Sequence, residues 1–365
     1  MKTTFFVFAI FGLLGNLAHA TGAMELVNTR EFPLDAIEKI TVNYRSDDIT
    51  VVQSDSDMLV IKEYMSENNS RFFAGITQTG NEITVVQGRR PVFRIVSFFR
   101  SRVEVVIPAS KKNVVIKSTS GKIEVTGGHS FATLVLENTS GRVSVDSLEA
   151  ETVSMKTGSG TIDIDSVEAS SISVENASGS ISANSLKAGT LRMKNASGKI
   201  SVNSLQAENA DLACGSGEIS AGTIVAGSVN AASTSGRIIV HSIDGDISAK
   251  TTSGSISITG VSGNIITESR SGSISCKIGE NSGNVAITST SGTVTIDLPS
   301  DLSFNFTSRT NSGSLRTPFA DDLFSSLTDR NFVQGVIARG DVQKEQVERN
   351  IDIRTTSGSI RLRFV

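Results

Sequence analysis

Residues 140–215 read SGRVSVDSLEAETVSMKTG, SGTIDIDSVEASSISVENA, SGSISANSLKAGTLRMKNA and SGKISVNSLQAENADLACG, four consecutive copies of one 19-residue unit. Ser-Gly pairs in the same phase begin at Ser120, Ser140, Ser159, Ser178, Ser197, Ser216, Ser235, Ser253, Ser271 and Ser291, then at Ser312 and Ser357. From Ser120 to Ser291 every step is 18 to 20 residues. A fixed period of that length marks a solenoid, in which each copy is a coil that buries its core only against its neighbours.

Within a copy the apolar positions alternate, the period of a strand rather than a helix. One column runs Ile123, Val143, Ile162, Ile181, Ile200, Ile219, Ile238, Ile256, Ile274 and Val294, and a second follows two residues later. A third begins Leu148, Val167, Leu186, Leu205, and pairs such as Leu134 with Leu136 and Leu191 with Met193 form a second strand. The reading is all-β: a single-chain parallel β-solenoid, β-helix-like, with coils of about 19 residues. The corner glycines Gly121, Gly141, Gly160, Gly179, Gly198, Gly217, Gly236, Gly254, Gly272 and Gly292 are expected as structural turns that enter positive φ, where a residue without Cβ is unstrained. Two residues before each Ser, the column Asn138, Thr157, Asn176, Asn195, Cys214, Ser233, Thr251, Ser269, Ser289, Thr310 is expected to form a polar ladder from coil to coil. Beside it Glu137, Lys156, Glu175 and Lys194 alternate in sign, which favours this register over a slipped one.

Residues 1–20 have the form of a secretory signal peptide: Lys2, an apolar run from Phe5 to Leu14, and Ala18-His19-Ala20 as a small-x-small cleavage site. The protein is therefore expected to be exported, either periplasmic or extracellular at the cell surface or beyond it, with no transmembrane segment after processing. Residues 21–117 lack the period but keep alternating strands, and are assigned to an N-terminal β cap over the repeats at 118–315. Residues 316–350 break the pattern as an inserted loop or cap, with a short helix expected around Asp321–Leu327, before a terminal coil at 351–365. The two cysteines, Cys214 and Cys276, fall in different columns about three coils apart, too far to bridge.

One segment departs from solenoid chemistry. Arg89, Arg90, Arg94, Arg100 and Arg102 interleave with Phe93, Phe98 and Phe99, with no acidic residue between. It reads either as a hairpin with a solvated charged face or as a contact for anionic envelope components, lipid headgroups or acidic glycans. Nucleic acid is not expected on an exported chain of net charge −3. Asp146, Asp163 and Asp165 are placed on one outer face, where carboxylates could hold Ca²⁺ or act on a glycan; Asn184 and Asn203 in the column of Asp165 favour a corner instead. His129 and His241 lie too many coils apart to cooperate, so no catalytic residue and no cofactor are assigned.

The junction IPASKKNVVIKSTSGKIEV at 107–125, the tandem SGxIxV coils and the closing IRTTSGSIRLRF resemble the bacterial putative-adhesin family of β-strand-repeat proteins, a domain family of unknown function. The resemblance implies an exported, non-enzymatic envelope or surface protein that presents solenoid faces to a macromolecular partner, be it glycan, lipid headgroup or protein. Two other readings stand beside it: a glycan-active β-helix enzyme, either polysaccharide lyase or hydrolase, and an envelope-stress scaffold.

Overall fold

The computed structural model describes residues 23–91, 99–108, 111–318 and 331–365. The expected signal peptide at 1–20 and the expected helix at Asp321–Leu327 lie outside the described residues. The chain divides into two compact units, residues 1–170 and 171–365. Both are parallel β-solenoids, and the regular elements described are strands apart from single 3-10 turns at Ser70–Phe72 and Lys344–Gln346.

The coils stack in the register that the repeat dictates. In the second unit Ile181, Ile200, Ile219 and Ile238 are partners in successive parallel rungs, and no member of the column from Ile123 to Val294 is more than 1% exposed. Strands of 15 or 16 residues such as Ile181–Asn195 and Lys199–Cys214 run on through the middle corner, where Leu186 and Leu205 still point inward. Later coils break there into two strands, Ile256–Val261 with Ile265–Ser269 and Ile274–Ile278 with Val285–Ser289.

The corner glycines are needed for a different reason from the one expected. None of the ten takes positive φ. A Cβ built on Gly121, Gly141, Gly160, Gly198, Gly217, Gly236, Gly254, Gly272 or Gly292 would lie under 3.0 Å from a backbone carbonyl oxygen of an adjacent coil. At this corner the backbones approach so closely that no side chain fits between rungs.

The buried polar column also works differently. Most of its side chains first close their own turn: the Gly141 amide donates to Asn138 Oδ1 at 2.9 Å, Gly236 to Ser233 Oγ at 2.9 Å, and Gly254 to Thr251 Oγ1 at 3.0 Å, whereas Ser289 Oγ has no partner among the described residues. The longer members then reach the carbonyl of the preceding Ser-Gly corner rather than each other, as Asn138 Nδ2 does to Gly121 at 2.6 Å and Asn195 Nδ2 to Gly179 at 2.7 Å. A true side-chain ladder lies in another column, just before the second strand. There Asp246 Oδ1 accepts from the backbone amide of Asn264 at 2.8 Å, Asn264 Oδ1 from the backbone amide of Asn284 at 2.9 Å, and Asn284 Oδ1 from the backbone amide of Asn350 at 2.9 Å.

At both ends the order of coils in space departs from their order in sequence. Lys39–Asn43 pairs parallel with Asn113–Ser118 on one side and Glu82–Val86 on the other. Asp48–Ser54 likewise lies between Ser101–Pro108 and the strand that starts at Ile123. The 39–54 segment is thus a coil sandwiched between the next two, and coil stacking extends well into the region assigned to the cap. Antiparallel strands Glu25–Pro33, Met58–Met65 and Gly75–Thr79 finish that end. In the second unit Asn350–Thr355 and Ile360–Phe364 slot between the coil of Val285–Leu298 and that of Phe304–Arg316. The terminal segment is therefore next to last in space. Phe304–Thr310 carries the antiparallel cap strand Phe332–Ile337, with Phe304 and Phe306 fully buried beneath.

Candidate functional site

The arginine-rich segment is partly consumed by the fold. Phe93, Arg94 and Phe98 lie outside the described residues. Arg90 makes an ion pair with Asp47, a carboxylate only 3% exposed, and donates from Nη1 to the Phe72 carbonyl at 2.6 Å. Its guanidinium stands 5.5 Å from the Phe99 ring, which meets Phe72 edge-on at 5.1 Å. Arg102 covers Tyr64 at 4.2 Å, while Arg89 and Arg100 are exposed.

The reason is register. Asp47 stands in the first coil where the next coil has Gly121, and Tyr44 stands where it has Ser118. With no small polar residue to close the turn, Gln87 from the neighbouring coil does so, taking the amides of Arg45 and Ser46 on its Oε1 and donating to Asp47 at 2.7 Å. Tyr44 is 1% exposed and its hydroxyl has no partner among the described residues. Burial, then the nearby Glu63 and Asp47 charges, raise its pKa well above the usual phenol value.

The aspartates do not assemble. Asp163 sits 3.4 Å from Arg142 on the neighbouring rung, and no group of three or more His, Cys, Asp or Glu comes together among the described residues. In the column of Asp165, Asn203 Nδ2 donates to Asn184 at 3.2 Å, the corner chemistry that those residue types favour. His129 is a core residue, 2% exposed, stacked on Phe131 and bonded to the Thr126 carbonyl at 3.0 Å, and its burial lowers its pKa. Cys214 and Cys276 are free and buried, with the Cys276 thiol pushed up to about 12.

What the second unit does present is a groove of about 450 Å³ across the middle corner of four successive coils. Its lining comes from Thr223–Val225, Ser242–Asp244, Gly260–Ser262 and Gly279–Asn281. The two coils at its floor begin at Ser235 and Ser253 and have 18 residues each, against 19 before and 20 after. They turn the shortened corner through Gly245 at φ 134° and Gly260 at φ 65°, conformations that favour glycine. Shorter coils between longer ones leave the indentation. Val225 stands 47% exposed beside it, and Ser262 Oγ donates to Asp244 Oδ1 at 2.6 Å, holding that carboxylate in place.

A family model described as Toastrack DUF4097 matches the chain twice, over residues 37–203 and 188–363. The chain belongs to the Toastrack family. Among solved structures the chain is similar to a putative cell adhesion protein from Clostridium sporogenes ATCC 15579, with 9% identity, TM-score 0.23, and coverage of 94% of this chain and 100% of that one. It is also similar to a putative adhesin from Bacteroides fragilis NCTC 9343, with 14% identity, TM-score 0.31 and coverage of 92% and 96%. A putative adhesin from Parabacteroides merdae ATCC 43184 follows with 17% identity, TM-score 0.39 and coverage of 74% and 95%. No curated protein matches.

In this Toastrack chain the groove leaves a trace in the sequence, the two 18-residue steps and the extra Ser-Gly pairs at Ser262 and Ser282, which fall out of phase because they build the middle corner. Ser282 is buried there, accepting from the Gly279 amide at 2.9 Å and donating to the Val261 carbonyl at 2.6 Å. No helix among the described residues is long and apolar enough to cross a membrane.

Proposed function

We propose that this Toastrack protein is a non-enzymatic protein of the cell envelope or surface, exported by the segment at 1–20, which presents its solenoid surface to a macromolecular partner. The observation that carries the reading is the groove, which combines the hydroxyls of Thr223, Ser242 and Ser262, the carboxylates of Asp244 and Glu280 and the exposed Val225 on a backbone locked in register. Such a mixture of polar and apolar atoms suits recognition of an extended chain crossing several rungs.

The test has two parts. Fractionation of the native host places the protein, and a cytosolic location overturns the export half. Purified protein is then incubated with isolated envelope. The parent is expected to be retained, and Val225→Arg combined with Asp244→Ala to be retained about tenfold less, the loss expected when a change falls on the few residues that carry most of the energy of a binding surface. Equal retention of parent and variant removes the groove from the reading, and release of new reducing ends from envelope glycan replaces binding by catalysis.

A further inference from the structure

Charges on neighbouring rungs of the second unit are mostly paired by sign. Arg192 meets Asp211 at 3.9 Å, Lys199 meets Glu218 at 3.0 Å, Lys250 meets Glu268 at 3.2 Å, and Arg363 meets Asp297 at 2.7 Å. The last two coils break this rule twice. Arg309 is the rung partner of Arg354, and Arg316 is the rung partner of Arg361. Parallel rungs are about 4.8 Å apart, so the two arginines of each pair leave neighbouring backbone positions, an arrangement that costs stability when nothing neutralises it. All four side chains are exposed. Asp352 is bonded to Arg354 at 2.7 Å, whereas Arg309, Arg316 and Arg361 have no acidic partner among the described residues.

The two pairs flank one corner, on the strands leading into and out of Asn311–Gly313 and Thr356–Gly358. A recess of about 570 Å³ opens on the Arg309 side of the corner, lined by Arg309, Thr310, Asn311, Asn331 and Phe332. That volume is within the range of about 300–1,000 Å³ of small-molecule sites. Asn331 Nδ2 donates to the Asn311 carbonyl at 3.3 Å and holds its wall.

We propose that this corner binds a phosphate-bearing ligand, with Arg309 and Arg354 on one flank and Arg316 and Arg361 on the other. Each guanidinium offers a planar fork of donors that matches two oxygens of a phosphate, and two forks one rung apart can share a dianion or span neighbouring phosphates. The bound anion offsets the like-charge repulsion of Arg316 with Arg361 and gives Arg309 the counter-charge that Asp352 gives Arg354. The proposal rests on the reading of a binding protein but uses a surface remote in sequence from the groove residues 223–281, so the two fail separately.

Pyrophosphate is the soluble probe, measured by titration calorimetry at low salt. Sedimentation with phosphatidylcholine vesicles containing phosphatidylglycerol is the membrane probe. Arg309→Ser combined with Arg316→Ser is compared with Arg363→Ser, which removes an arginine already paired with Asp297. The double variant is expected to bind about tenfold or more weakly, since bonds from charged donors are among the stronger ones, and the control to bind like the parent. Loss with pyrophosphate assigns a soluble phosphate ligand, and loss with vesicles alone assigns a lipid headgroup. Melting of the ligand-free double variant should equal or exceed that of the parent, because a repulsion has been removed. A parent that binds neither probe overturns the proposal, and so does unchanged binding by the double variant.

Discussion

At Gly198 the repeat is decided by a distance rather than by a dihedral angle. Its φ is not positive, but a Cβ there would run into the Gly179 carbonyl and meet Asn195 Nδ2 at 2.9 Å. The smallest side chain is therefore already too large, and Gly198→Ala should cost about 1–3 kcal/mol, the usual range for forcing atoms into a packed site. Gly279→Ala is the matched control, because the nearest atoms to its added Cβ lie at 3.7 Å. Denaturant midpoints compare the two, and equal midpoints would remove close approach as the reason for the glycine column. The sequence made the column visible because identity at a fixed period needs no geometry to be noticed. It could not separate a backbone that turns left-handed from one that is pressed against its neighbour, since glycine answers both demands.

At the scale of the element, a strand in this fold is held at its corners by side chains as well as by its rungs. The Asn284 amide donates to Asn264 Oδ1, and Asn284 Oδ1 accepts from the Asn350 amide, both at 2.9 Å. Asn284→Ala should therefore destabilise the second unit by about 0.5–1.5 kcal/mol, the net worth of a hydrogen bond partly open to water. Asn281→Ala, at the exposed tip of the same corner, should leave the midpoint unchanged, and matching losses in the two variants would argue against the ladder. This ladder was open to a reader of Asp246, Asn264, Asn284 and Asn350 aligned on the following Ile or Val. At the candidate site, clustering of Arg89, Arg90 and Phe99 was legible, but the burial of Arg90 against Asp47 depends on a partner 43 residues away, which alternation alone does not locate.

For the whole molecule, period and alternation were enough for the coils and their register, and not enough for the order of the coils at the ends. A strand such as Asn350–Thr355 carries the same inward Ile351 and Ile353 whether it is last or next to last. Only the antiparallel strand Phe332–Ile337, which covers the outer edge of Phe304–Thr310, leaves the inner edge as the place for it. The arrangement ties the segment down on both sides, and an end coil that frays alone would leave the solenoid edge open to pairing with other chains. Deleting residues 350–365 should then do more than shorten the solenoid. The Phe304–Thr310 strand loses its parallel partner and Phe306 loses the cover of Ile351, so amide hydrogen exchange should speed up across 304–310 and 332–337 as well as 285–298, while 181–233 keeps its protection. Were the segment simply the outermost coil, 285–298 would be paired with 304–316 and its removal would leave 285–298 as protected as before, and that result would refute the interleaved order.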